Sequence, residues 1–198
     1  MQSIKSIFFF LLSTFLVFSC TQNSEFNCNN LVEKDGFWII KNSMKKYSGS
    51  CSSYYLDGKK ESSANYLNGL LNGKVKFFRL GGTLKEVLIY KMGIQNGQVK
   101  YYFSNGAIEL IGNVINNKQE GKWLYFYENG KTKASIIFKN NKENDSIIEY
   151  YKTGKIKLKG YFVNGMKEGK WIFYDSITNI KEGFLEYKKG ITIKRGNE

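Results

Sequence analysis

The chain has 198 residues, a formal net charge of +13, 16% aromatic residues, twenty glycines, and neither proline nor histidine. The absence of histidine removes the commonest general base, and with it Ser-His and Cys-His nucleophile pairs; 42% hydrophobic and 24% charged residues argue against disorder. Arg79 and Arg195 are the only arginines, which speaks against a nucleic-acid reader, since such proteins lean on bidentate arginine contacts. Two readings of the lysine excess stay open: a basic surface that steers the protein toward anions, or an AT-rich coding bias that also favours Asn, Ile, Tyr and Phe.

In chain order, the first element is an apolar run. Lys5 precedes Ile7 to Leu12 and, after two small polar residues, Phe15 to Phe18. The run has the flank and length of a signal-peptide core and is short for a membrane span. It ends Val17-Phe18-Ser19-Cys20, which resembles the lipobox of bacterial lipoproteins. That resemblance implies a signal peptide over residues 1–19 and acylation of Cys20 as the link to membrane lipid, placing the protein in the cell envelope. Stable anchoring needs more than one inserted chain.

Residues 20–46 are expected to hold the lipidated cysteine, a polar tether from Thr21 to Asn30, and a cap strand at Phe37-Trp38-Ile39-Ile40 after an Asp35-Gly36 turn. Cys28 and Cys51 would lie in an oxidising compartment. They either pair, clipping the tether to the chain around Cys51, or remain free thiols; spacing alone does not decide.

From residue 47 to 198 the sequence repeats. Gly49, Gly73, Gly97, Gly121 and Gly169 fall on a 24-residue ladder with Asp145 in the vacant step, and Gly58, Gly82, Gly106, Gly130 and Gly154 form a second ladder in phase. Units starting after the first ladder begin at Ser50, Lys74, Gln98, Lys122 and Ser146, with a degraded sixth at Lys170. Their fifth position is always aromatic: Tyr54, Phe78, Tyr102, Phe126, Tyr150 and Tyr174. Pairs such as Asp57-Gly58 and Asn129-Gly130 predict a tight hairpin turn. Period-two alternation comes next, as in Leu84, Glu86, Leu88 and Tyr90, with a looser turn at Asn68-Gly69 and its equivalents. Hairpins in series predict an all-β fold, an elongated single-layer antiparallel meander.

The string Gly121-Lys122-Trp123-Leu124-Tyr125-Phe126-Tyr127-Glu128-Asn129-Gly130-Lys131 and its echo Glu168-Gly169-Lys170-Trp171-Ile172-Phe173-Tyr174 resemble the MORN-variant repeat of bacteria, whose pattern reads E-G-x-W-x-x-Y-Y-x-N-G-K. The likeness runs over roughly residues 47 to 190; Ser53 and Glu149 depart from it where an aromatic is expected, and Ser176 to Glu182 break the register. It implies long single-layer sheets of hairpins and roles in membrane attachment or protein scaffolding. Some bacterial relatives are catalogued as antitoxins, an alternative role that sits poorly with an export signal.

No cofactor and no enzymatic activity are expected: the cysteines lack metal-ligand spacing, and no glycine-rich segment precedes a helix. Glu120 and Glu168 recur at one repeat position, but a carboxylate beside a turn more often pairs with the turn. The aromatics say more. Neighbours on a strand point to opposite faces, so Tyr101 and Tyr102, or Tyr125 and Phe126, make both faces partly aromatic. Tyr102, Tyr125, Phe126, Tyr150 and Tyr174 are the candidate binding surface of a protein-interaction scaffold. The alternatives are an aromatic row stacking on sugar rings, homo-association through an exposed face or edge, and rings merely packed by twist and lysine stems.

Overall fold

The computed structural model describes residues 25 to 197. Its main body is a 16-stranded sheet; thirteen of these strands lie side by side in chain order from Gly49–Tyr54 to Ile191–Gly196, and the two-residue strands Leu70–Leu71 and Ile94–Gln95 lie off that path. All of these neighbours are antiparallel, so the single-layer meander is the observed architecture. At about 4.8 Å per strand the sheet is roughly 60 Å across.

The amino-terminal end differs from the tether expected there. Phe26–Asn27 forms a short strand parallel to Gly49–Tyr54, and Cys28–Asn30 is a turn of 3-10 helix. The expected cap strand is one arm of a hairpin, Leu31–Lys34 with Phe37–Ile40. This segment is ordered because it is tied down. A disulfide joins Cys28 to Cys51, Trp38 N–H donates to the Gly69 carbonyl at 2.7 Å, and Leu31, Tyr47 and Cys51 bury one another.

Two turns alternate along the array, and the structure exchanges the roles expected of them. At the second glycine ladder only glycine has positive φ (Gly58 81°, Gly130 80°). There the carbonyl of Tyr127 accepts from Gly130 N–H and Tyr127 N–H donates to Lys131, a three-residue loop closed by a left-handed glycine. Asn129 contributes its side chain rather than an unusual backbone, accepting the Lys131 N–H at 3.1 Å. The turns taken as looser are the two-residue ones, with both central residues left-handed: Asn68-Gly69 at 50° and 81°, Asn116-Asn117 at 50° and 62°. Asn-Gly serves both geometries, which is why the dipeptide does not separate them.

The first glycine ladder is not made of turn residues. Ile111 pairs with Leu124 and Asn113 with Glu120, so Gly121, Lys122 and Trp123 stand opposite Gly112 alone. The units at Lys122, Ser146 and Lys170 carry this bulge, and Gly121 (φ 70°) and Gly169 (φ 65°) supply its left-handed residue. Asp145 adopts φ 80° in the same place, its carboxylate accepting the Ser146 N–H at 2.7 Å.

The second residue of every unit, with or without the bulge, lies in the core: Cys51, Val75, Val99, Trp123, Ile147 and Trp171 are all buried. Size decides what each of them covers. A Cβ added to Gly112 would lie 2.1 Å from the Trp123 ring, and one added to Gly160 2.4 Å from Trp171. Where the crossing residue is Val75, the equivalent position holds Ala64. Large stands against none at the two tryptophans and medium against small at Val75, whereas the same position holds Leu88 for Val99 and Ile136 for Ile147. The register break expected at Ser176 to Glu182 is a turn one residue longer, Asp175 N–H bonding to Ile180, which moves Leu185 opposite Trp171.

Candidate functional site

The five aromatic residues expected to make a binding surface do not form one surface. Tyr125 packs on the core face, against the cluster of Val99, Val114, Trp123 and Phe138. Burial, with the Glu143 charge adding to it, holds its phenol above the ordinary value. Tyr102, Phe126, Tyr150 and Tyr174 come one position after core-face residues and so project from the opposite face. The Lys159 ammonium, 5.8 Å from the Tyr174 ring centroid, lies with them. All four rings are half-buried. Beyond the amino-terminal hairpin, no second layer covers either face among the described residues.

The residue after the aromatic fifth position, not singled out in the sequence, staples one unit to the next in four of the units. Tyr55 Oη donates to the Phe78 carbonyl at 2.7 Å, Tyr127 Oη to that of Tyr150 at 2.7 Å, and Tyr151 Oη to that of Tyr174 at 2.9 Å. Arg79 does the same with its guanidinium, on the Tyr102 carbonyl. The recurrence of Tyr55, Tyr127 and Tyr151 in register was the available signal. Phe103 has no hydroxyl and interrupts the ladder. Beside it is an open hollow of about 450 Å³ lined by Phe103, Phe126, Tyr127, Lys133 and Lys152, among others.

The other edge has its own staples. The second residue of each two-residue turn donates its N–H to the preceding unit: Gly93 to Leu71, Asn117 to Gln95, Gly165 to Glu143. Glu120 Oε1 accepts the Asn140 N–H at 2.8 Å and Glu168 Oε2 the Lys189 N–H at 2.7 Å; Asn72 and Asn144 occupy the same place in their units. The recurring carboxylates are thus committed to turns. Among the described residues no three His, Cys, Asp or Glu side chains converge as metal ligands.

Cys28 and Cys51 are bonded, with Cα atoms 5.1 Å apart. Beside them, Glu25 meets Lys60 at 2.7 Å, and that hydrogen bond holds the carboxyl below its usual range. The signal-peptide run and Cys20 lie outside the described residues.

Among protein families, the model described as MORN repeat variant matches at residues 119–140 and 147–164. These segments contain the best-formed bulge and the Tyr127 and Tyr151 staples. No curated protein matches the chain.

Proposed function

Since this chain is a MORN-variant repeat protein, we propose that it is an exported, membrane-anchored scaffold that binds another protein and carries out no reaction. The observation that supports this most is the row of half-buried rings at Tyr102, Phe126, Tyr150 and Tyr174, one per unit, on a face that no second layer covers among the described residues; exposed apolar surface that recurs in this way is what interfaces use. Export accords with the Cys28–Cys51 bond, because disulfides persist in oxidising compartments. Anchoring is assigned to acylated Cys20. Cell fractionation tests it: the natural chain is expected in the membrane pellet and Cys20→Ala in the soluble fraction, whereas an unchanged pellet for Cys20→Ala removes the lipoprotein assignment.

A second reading, carbohydrate binding, is favoured by the hollow between Phe103 and Phe126, where rings stand beside Lys133 and Lys152. Aromatic faces stack on sugar rings, and flanking polar groups fix orientation. Glycan-array binding that disappears in Phe126→Ala would select it over the scaffold.

A further inference from the structure

We propose that the turn edge of the sheet, on the face opposite the Trp123 cluster, docks an acidic, aliphatic segment of a partner protein; this rests on the scaffold reading and gives its partner a place and a chemistry. The residues that close the two-residue turns are direct cross-strand pairs: Ile115 with Lys118, Lys139 with Lys142, Val163 with Met166. Their neighbours Val114 and Phe138 are buried on the core face, so alternation sends these six side chains to the other side. All six are exposed, Ile115 at 51% and Met166 at 44%. The flanking pairs Lys91 with Ile94 and Lys188 with Ile191 continue the mixture in both directions.

Charge selects the occupant. Lys139 stands directly opposite Lys142, an arrangement that destabilises a sheet when nothing neutralises it. Among the described residues neither lysine, nor Lys118, forms an ion pair. Glu120, across from Lys139 on the neighbouring strand, has its carboxylate on the Asn140 N–H. An acidic ligand would relieve this repulsion, and the aliphatic pairs on either side would be covered in the same event. The turn-closing pairs hold Ile, Val and Met but no aromatic ring; surfaces that settle into a membrane interface are marked by Trp and Tyr, so a protein segment is favoured over lipid.

The pitch sets the form of the segment. Hairpins recur every two strands, about 9.6 Å, and a segment in polyproline II conformation brings every third residue back to the same side after about 9.3 Å. One acidic and one aliphatic side chain per three residues would keep step with the units.

Fluorescence anisotropy on the full chain tests this, with a labelled peptide of about five Glu-Leu-Ser triplets as probe, beside poly-glutamate and phosphatidylserine vesicles. The peptide is expected to bind about tenfold more tightly than poly-glutamate, and to lose about tenfold in affinity both in K139E/K142E and in I115S/V163S. Circular dichroism confirms that the variants remain folded. Equal binding by all variants, vesicle binding without peptide binding, or a dimer that dissociates in K139E/K142E would each overturn the proposal. A protein crosslinked from Tyr102 whose capture is unaffected by K139E/K142E would leave the scaffold standing and remove only this docking site.

Discussion

Gly112→Ala is expected to destabilise the protein by about 3 kcal/mol, a large effect for one methyl group. The new Cβ would fall 2.1 Å from Cδ2 of Trp123, a ring only 4% exposed. Backbone strain contributes nothing, because Gly112 is not among the positive-φ glycines and alanine costs less conformational entropy than glycine. The indole has to leave its place over the neighbouring strand, and Val99, Phe138 and Tyr125 lose the atoms they pack against. Trp123→Val alone costs a similar amount by opening a cavity. Together the two substitutions recreate the Ala64 and Val75 combination found two units earlier, so the double variant is expected to be more stable than either single one. Urea unfolding of all four proteins gives the coupling, expected above about 2 kcal/mol. A neutral Gly112→Ala with unchanged tryptophan fluorescence would show that the pair is not what fixes the core.

Breaking the disulfide has an effect of similar size and different reach. Cys28 and Cys51 close a loop with a sequence separation of 23, which by restriction of the unfolded chain is worth about 3 kcal/mol. Cys51 is fully buried with Leu31 and Tyr47, so Cys28→Ala leaves a thiol there and frees the segment before it. Contacts in this array run between adjacent strands, and repeat arrays lose stability locally for that reason. Limited proteolysis of Cys28→Ala is expected to open sites between Glu25 and Tyr47 while the units from Lys122 onward stay protected. Uniform loss of protection along the chain would mean that the cap and the array unfold as one body.

The 24-residue period, the alternating strands and the aromatic fifth position carried the fold into view, because each is a local preference repeated in register. Three features were not legible in that way. The bulge at Gly121 adds residues to one strand without disturbing the spacing of the ladder, so the spacing does not reveal it. The two turns share the Asn-Gly dipeptide, and only the backbone angles and the hydrogen bonds around Tyr127 and Gly130 tell them apart. The Tyr55, Tyr127 and Tyr151 staples depend on which carbonyl of the next unit lies within reach, a tertiary relation. The candidate surface fared similarly: adjacency on a strand separates Tyr125 from Phe126, but only packing shows that Tyr125 is on the core side. The turn-edge pairs were hidden because Ile115, Lys118, Lys139 and Lys142 differ in chemistry and share only their place beside a turn.

Photo-crosslinking in isolated membranes tests the scaffold most directly. A benzophenone side chain placed at Tyr102 or at Tyr150, on the face opposite the Trp123 cluster, is expected to capture a second protein, while the same group in place of Tyr101, packed against that cluster, captures none. Capture of nothing from either Tyr102 or Tyr150, with the protein folded and membrane-bound, would contradict the account.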